Sequence, residues 1–230
     1  MGFYNPAFFI HNMKYLLIIS IFLFFGCANQ KTVNEKPLLV FLHGYGGNKE
    51  SLKELSDCFK DNYDIKLMEG FFDLKSNTYS WGDVLYDEKT NSWFERKSGL
   101  YSLYKLRDIL GKEKREIILI GESQGATMGL ALLLNYPEQF KKAVSINGFI
   151  DEKLFIDRYK KNFDSLNVLR LNGTNDFIIN EEMVNYSTRV LDSLHIEDSL
   201  ILHNEQHSFT PVETETIKDW ISIFNYSKKN

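Results

Sequence analysis

The strongest constraint on the fold is residues 117–126, where an apolar run leads through the pattern Gly-x-Ser-x-Gly into a second apolar segment. Four consecutive branched aliphatic residues, 117–120, favour a strand buried on both faces, as at the centre of a parallel sheet. Residues 126–134 have the length and the apolar content of a helix packed on that sheet. We therefore expect a buried strand, a turn and a helix in direct succession.

The turn between this strand and this helix has to be very tight. Gly121 and Gly125 flank Ser123 and leave room for the strand and the helix to approach each other. Ser123 is then expected in a strained backbone conformation at the carboxyl end of the sheet, beside a helix N-terminus whose amides favour negative charge. The pattern predicts a nucleophile elbow, and the alternative is an ordinary glycine-rich turn.

The rest of the chain alternates between strand-like and helix-like segments. The predicted strands are 38–42, 65–68, 117–120, 143–146, 168–171 and 199–202, and the predicted helices are 49–60, 98–110, 126–134, 181–194 and a terminal helix from 210 onward. Asn48, Asn180 and the capping box that begins at Thr210 are the expected helix starts. This alternation predicts an α/β fold with a mostly parallel central sheet covered on both faces and a minimal cap.

One long segment, 70–97, is irregular in pattern and rich in aromatic residues. A loop of this length in a compact domain is often a pocket wall or a lid, and the alternative is that its rings only seal the edge of the core. We take Trp81, Trp93 and Phe94 as candidate residues of a substrate pocket.

Three polar residues follow separate predicted strands in a suggestive order. Ser123 needs a base to lose its proton at neutral pH, and His207 lies in the loop between the last strand and the last helix. The imidazole in turn needs a carboxylate to fix its tautomer, and Asp176 lies in a turn directly after a strand. Asp192 and Asp198 are less suitable because they lie within or beside a helix. The chain order Ser123, Asp176, His207 is that of the α/β-hydrolase triad.

An oxyanion would need backbone donors near Ser123. The amide of Gln124, at the start of the helix, is one candidate. The amide of Tyr45 is the other, because Gly44 and Gly46 on either side let the backbone face a substrate. His43 is interpreted as a loop histidine bonded to the backbone rather than as a second base.

Composition excludes several other classes of function. The net charge is −4 with no basic stripe, so nucleic acid is not an expected partner. The sequence has no CxxC or HExxH pattern and no metal-ligand spacing among its five histidines, so no metal site is expected.

The N-terminal segment differs from the remainder. An uncharged apolar run over 15–25 is too short to span a bilayer but fits the core of a secretory signal, and the small residue before Cys27 resembles a bacterial lipoprotein cleavage site. We predict a lipoprotein-type signal peptide over 1–26, a tether over 27–36 that begins with lipidated Cys27, and an α/β-hydrolase domain over 37–230. The protein is then exported and anchored to a membrane of the cell envelope through Cys27. The alternative is a short anchor that is not cleaved.

Four motifs carry a family resemblance, namely HGYGGN at 43–48, GESQGATMGLAL at 121–132, GTNDFIIN at 173–180 and EQHSF at 205–209. With their spacing, they resemble the phospholipase/carboxylesterase family of α/β-hydrolases, which includes acyl-protein thioesterases. The resemblance implies Ser123 as nucleophile, Asp176 as acid, His207 as base, and the amides of Tyr45 and Gln124 as oxyanion donors. It also implies hydrolysis, without a cofactor, of small-molecule or lipid esters or thioesters.

The chain departs from the family pattern at three places, which leave the substrate open. Glu122 stands where an aromatic residue is common, Glu95 replaces an aspartate, and Ile179-Asn180 replaces the usual Val-Pro. A serine ester hydrolase is the expected function. The alternatives are an exported serine peptidase that uses the same triad and a surface lipoprotein that binds without catalysis.

Overall fold

The computed structural model describes residues 36–87, 92–156 and 161–226. The predicted signal peptide, the lipidation site Cys27 and the tether except its last residue, Lys36, lie outside these described residues. No helix in the described ranges is long and apolar enough to cross a membrane.

A parallel sheet of six strands forms the centre of the fold. Its strands are β1 (Leu38–Leu42), β2 (Asp64–Met68), β7 (Ile117–Glu122), β8 (Lys142–Ile146), β9 (Asn167–Gly173) and β10 (Glu197–His203). The order across the sheet is β10-β9-β8-β7-β1-β2, so the chain winds outward in both directions from the β1–β7 pair. Ligands in such sheets bind beyond the carboxyl ends of the strands, at the point where the winding direction reverses.

Helices cover both faces of this sheet. They are α1 (Lys53–Asp57), α2 (Arg96–Leu110), α3 (Gln124–Asn135), α4 (Glu181–Ser193) and α5 (Pro211–Tyr226). The strands alternate accordingly: Val40 and Leu42 contribute to the core cluster that contains buried apolar residues of α2, α3 and the C-terminal part of α4. Leu39 and Phe41 contribute to the cluster that contains those of α1 and α5. A strand that is buried on both sides needs this continuous apolar sequence, and the predicted doubly covered sheet is confirmed.

The predicted helix over 49–60 is mostly wrong. The structure contains only the five residues of α1, with turns before and after it, although Leu52, Leu55 and Phe59 are all buried as the periodicity suggests. The Asn48 side chain accepts a hydrogen bond from the Glu50 amide, so it stabilises a turn rather than the start of the helix.

The aromatic segment predicted as an irregular loop contains short antiparallel strands. β3 (Phe72–Lys75) pairs with β4 (Thr78–Ser80), and β5 (Val84–Asp87) pairs with β6 (Ser92–Phe94). These two ribbons are separate from the central sheet. The β5–β6 ribbon lies beside the site described next.

Candidate active site

The turn between β7 and α3 is as tight as the sequence predicts. Ser123 has φ 51° and ψ −116°, a conformation that is strained for any residue except glycine. A Cβ atom on Gly121 would lie 2.4 Å from the Gly125 carbonyl oxygen, and one on Gly125 would lie 2.1 Å from the Leu42 carbonyl oxygen. Both glycines are therefore required for the strand and the helix to approach each other and for Ser123 to stand at the end of the sheet.

Three side chains from separate loops meet at this point. The Oγ atom of Ser123 lies 2.8 Å from Nε2 of His207, and Nδ1 of His207 lies 2.6 Å from Oδ2 of Asp176. The serine follows β7, the aspartate follows β9 and the histidine follows β10, so a single edge of the sheet positions all of them. In this geometry His207 can accept the hydroxyl proton while Asp176 holds the other ring nitrogen as a donor.

The backbone fixes the charge and the orientation of Asp176. Its Oδ1 accepts hydrogen bonds from the amides of Ile178 and Ile179 at 2.8 and 2.9 Å. Burial by itself raises the pKa of this carboxyl, but the hydrogen bonds from His207 and the two amides outweigh it and leave the pKa below its ordinary value. Asp176 is therefore a carboxylate that can stabilise positive charge on the imidazole.

The alternative acids are engaged elsewhere or exposed. Asp198 forms an ion pair with the buried guanidinium of Arg170, and Asp192 is exposed on α4. Glu122 is partly buried, and burial raises the pKa of its carboxyl although the nearby His207 lowers it.

Two backbone amides are available near Ser123. Within the described residues, the N–H groups of Tyr45 and Gln124 have no hydrogen-bond acceptor. Gly44 approaches the serine closely, since a Cβ atom there would lie 3.4 Å from Ser123 Cβ, and Gly46 has φ 76°. The loop after β1 and the start of α3 thus present donors at the place where the winding of the sheet reverses.

A largely apolar cavity of about 410 Å³ opens beside Ser123. Its lining consists of Tyr45, Val84, Trp93, Phe94, Ser123, Gln124, Thr127, Phe149, Ile178, Ile179 and His207. The candidate pocket residues Trp93 and Phe94 are among them. Val84, Thr127 and Phe149 could not be recognised from the sequence, because they are apolar or small residues with no distinguishing pattern.

Trp81 does not line this cavity, contrary to the prediction. Its side chain is fully buried, and its indole N–H donates to the His43 carbonyl at 2.8 Å. Its own amide donates to the side-chain oxygen of Gln124, whose NH₂ group donates to the Gly82 carbonyl. Trp81 thus connects His43, after β1, with Gln124, at the start of α3, and its buried ring has no face left for a ligand.

His43 has the predicted structural role. Its Nε2 accepts from the Gly70 amide at 2.9 Å, its Nδ1 lies 2.7 Å from the Gly44 carbonyl oxygen, and burial lowers the pKa of the ring. The described ranges contain no group of three or more His, Cys, Asp or Glu residues that could hold a metal ion.

Comparison with known proteins gives one family. The model of the Phospholipase/Carboxylesterase family matches residues 28–225, which is most of the chain. The chain belongs to this family. Membership makes it an ester hydrolase with the α/β-hydrolase fold, as the resemblance of its motifs predicted. No curated protein sequence matches the chain.

Solved structures agree with this fold. A Bacillus cereus carboxylesterase is 22% identical with a TM-score of 0.68, and the match covers 80% of this chain and 87% of that one. SOBER1 of Arabidopsis thaliana is 20% identical with a TM-score of 0.68, covering 81% and 98%. A carboxylesterase of Mesorhizobium loti is 16% identical with a TM-score of 0.67, covering 81% and 88%. At these identities the likeness shows the fold alone.

Proposed function

We propose that the protein hydrolyses carboxylic esters or thioesters through an acyl-enzyme formed at Ser123. The observation that carries this proposal is the continuous hydrogen-bond chain from Ser123 Oγ through His207 to Asp176, at 2.8 and 2.6 Å, beside an apolar cavity. The cavity suits small-molecule or lipid esters with an apolar portion.

In the first half of the reaction, Ser123 Oγ attacks the acyl carbon and its proton passes to His207 Nε2. The carbonyl oxygen becomes an oxyanion, which the amides of Tyr45 and Gln124 stabilise; removal of one such donor typically costs about 3–4 kcal/mol in the transition state. The leaving alkoxide or thiolate departs with the proton from His207, and the acyl group stays on Ser123.

In the second half, water enters and loses its proton to His207 as its oxygen attacks the acyl carbon. The tetrahedral intermediate collapses, the bond to Ser123 Oγ breaks, and the proton returns from His207 to that oxygen. The acid is released and the enzyme returns to its starting state. Asp176 remains ionised throughout and holds the imidazole in the required tautomer.

The test is the release of p-nitrophenol from p-nitrophenyl esters by the purified protein and by its Ser123→Ala variant. We expect turnover by the wild type and loss of turnover in the variant, with the melting temperature measured for both as the control for folding. Absence of turnover with every acyl length, or an unaffected variant, contradicts the proposal. Faster cleavage of aminoacyl or prolyl amides than of esters would instead identify a peptidase.

We further propose that the mature protein is anchored in the cell envelope by a lipid on Cys27. The apolar run at 15–25 followed by a small residue and a cysteine supports this proposal. In the native host, radiolabelled palmitate should be incorporated into the wild type and not into Cys27→Ser. Equal labelling of the two proteins, or none in either, contradicts lipidation at this residue.

A further inference from the structure

One wall of the cavity is formed by β6, which lies outside the central sheet. Trp93 and Phe94 line the cavity from β6, and among the described strands β6 pairs with β5 alone. A ribbon of two strands is marginally stable in water without packing or further hydrogen bonds. The position of this wall therefore depends on what holds β6 from its other side.

Phe94 packs in the core, and a buried carboxylate holds the backbone of β6 beside it. Asp151 is only 3% exposed, and its Oδ2 accepts hydrogen bonds from the amides of Trp93 at 2.9 Å and Phe94 at 3.0 Å. The Ser92 hydroxyl lies 2.7 Å from Oδ1 and 2.8 Å from Oδ2, and the Lys153 amide donates to Oδ1 at 2.9 Å. All three residues of β6 are thus held by one side chain from the loop after β8.

Both oxygen atoms of the Asp151 carboxyl group have to accept hydrogen bonds. Burial raises the pKa of Asp151, whereas its four donors favour the charged form. Because three of these donors are backbone amides, which cannot turn to accept, an ionised carboxylate satisfies all of them. Its loss would leave buried N–H groups of the wall without an acceptor.

The loop after β8 also contacts the catalytic side of the cavity, through its first residue, Asn147. The side chain of Asn147 accepts from the Gly173 amide at 3.1 Å and donates to the Ser208 carbonyl at 2.8 Å, next to His207. Phe149, between the two polar residues, lines the cavity. The loop therefore holds the histidine through Asn147 and the apolar wall through Asp151.

We propose that Asp151 is a specificity-determining positioning residue, which fixes the wall formed by Trp93 and Phe94 and so sets the size of the apolar group that the cavity accepts. This inference rests on the proposed ester hydrolysis at Ser123. The loop then has two separate roles: Asp151 determines which esters bind, and Asn147 determines the position of His207.

The experiment measures kcat and KM for two series of esters. One series varies the acyl group from acetyl to decanoyl with p-nitrophenol as the leaving group, and the other varies the alcohol from methyl to decyl with acetate. Wild type, Asp151→Ala, Asp151→Asn and Ser92→Ala are compared, with Asn147→Ala as the matched control on the same loop. Burst titration with p-nitrophenyl acetate counts the folded, competent sites in each preparation.

In one of the two series, we expect Asp151→Ala to lower kcat/KM about tenfold more for the long substrates than for the shortest one. The loss should come mainly from a higher KM. A factor of this size is typical of the loss of one methylene contact. Asp151→Asn keeps an oxygen that can face the two β6 amides but sets its NH₂ group against the Lys153 amide, so its selectivity should lie between those of the wild type and Asp151→Ala. Asn147→Ala should lower kcat for short and long substrates alike.

A purely structural role for Asp151 predicts a uniform loss across both series after correction for competent sites, and that result would overturn the proposal. If Asp151→Ala yields no folded protein, Ser92→Ala decides, because it removes only one donor: a reduced preference for long substrates supports the proposal, and an unchanged preference overturns it. Failure of the wild type to hydrolyse any ester would instead contradict the proposed function itself.

Discussion

Replacement of Asp176 by asparagine should disable the proposed histidine base without removing any side chain from the site. The amide oxygen of the asparagine will occupy the place of Oδ1, because the N–H groups of Ile178 and Ile179 both need an acceptor there. The NH₂ group then lies where Oδ2 accepts from His207 Nδ1. It can only donate, so Nδ1 has to become the acceptor and Nε2 has to carry the proton.

A protonated Nε2 cannot take the proton of Ser123. The expected loss of kcat is about 10⁴-fold, which corresponds to about 5 kcal/mol of transition-state stabilisation at 1.36 kcal/mol per factor of ten. KM should change little, because Asp176 does not line the cavity. The assay is steady-state hydrolysis of a p-nitrophenyl ester at pH 7 to 8, with competent protein quantified by thermal unfolding. A variant that keeps kcat within about tenfold of the wild type would refute the assigned role of Asp176, since general base catalysis alone contributes about 10²–10⁴-fold.

The same substitution should change how stability depends on pH. The pKa of Asp176 is lower in the folded protein than its ordinary value of about 3.9, so its ionisation stabilises the fold above that value. This contribution is lost as the pH falls through the lowered folded pKa. Denaturant unfolding between pH 7 and pH 3 should therefore show a smaller acid loss of stability in Asp176→Asn than in the wild type, and equal losses contradict the lowered pKa.

Two further substitutions test the support of the site and of the sheet. Gln124→Ala leaves the buried amide of Trp81 and the carbonyl of Gly82 without partners and should cost about 1–3 kcal/mol for each group in urea unfolding. Asp198→Ala leaves the fully buried Arg170 unpaired and should cost about 3–5 kcal/mol, while replacement of both partners by apolar residues should recover much of that loss. A loss below about 1 kcal/mol in either alanine variant would contradict the corresponding contact.

Features encoded within a few consecutive residues could be predicted from the sequence. The aliphatic run of β7, the glycines around Ser123 and the apolar helix α3 follow one another directly, so their burial and their geometry are local properties. The cap of α4 is similarly local, since Asn180 accepts from the Met183 amide three residues later. The strand-end position of Asp176 and His207 follows from the alternation of strands and helices.

Features that depend on distant pairing could not be predicted. The strands of the β5–β6 ribbon have three or four residues, too few to show a period of two. Asp151 accepts hydrogen bonds from residues that lie 57 to 59 positions earlier in the chain. Nothing in its immediate sequence marks it as a hydrogen-bond acceptor for β6. The aromatic-rich segment around Trp81 indicates a pocket wall, whereas the contacts of Trp81 with His43 and Gln124 place it in the core.

The most direct test of the proposed chemistry is to locate a covalent adduct. The purified protein is treated with a fluorophosphonate, digested, and analysed by mass spectrometry with and without prior addition of a p-nitrophenyl ester. We expect one phosphonylated residue, Ser123. The ester should slow its labelling, His207→Ala should label more slowly than the wild type, and Ser123→Ala should not be labelled. A phosphonyl group on a different residue, or continued ester hydrolysis by Ser123→Ala without any adduct, would contradict the proposed chemistry.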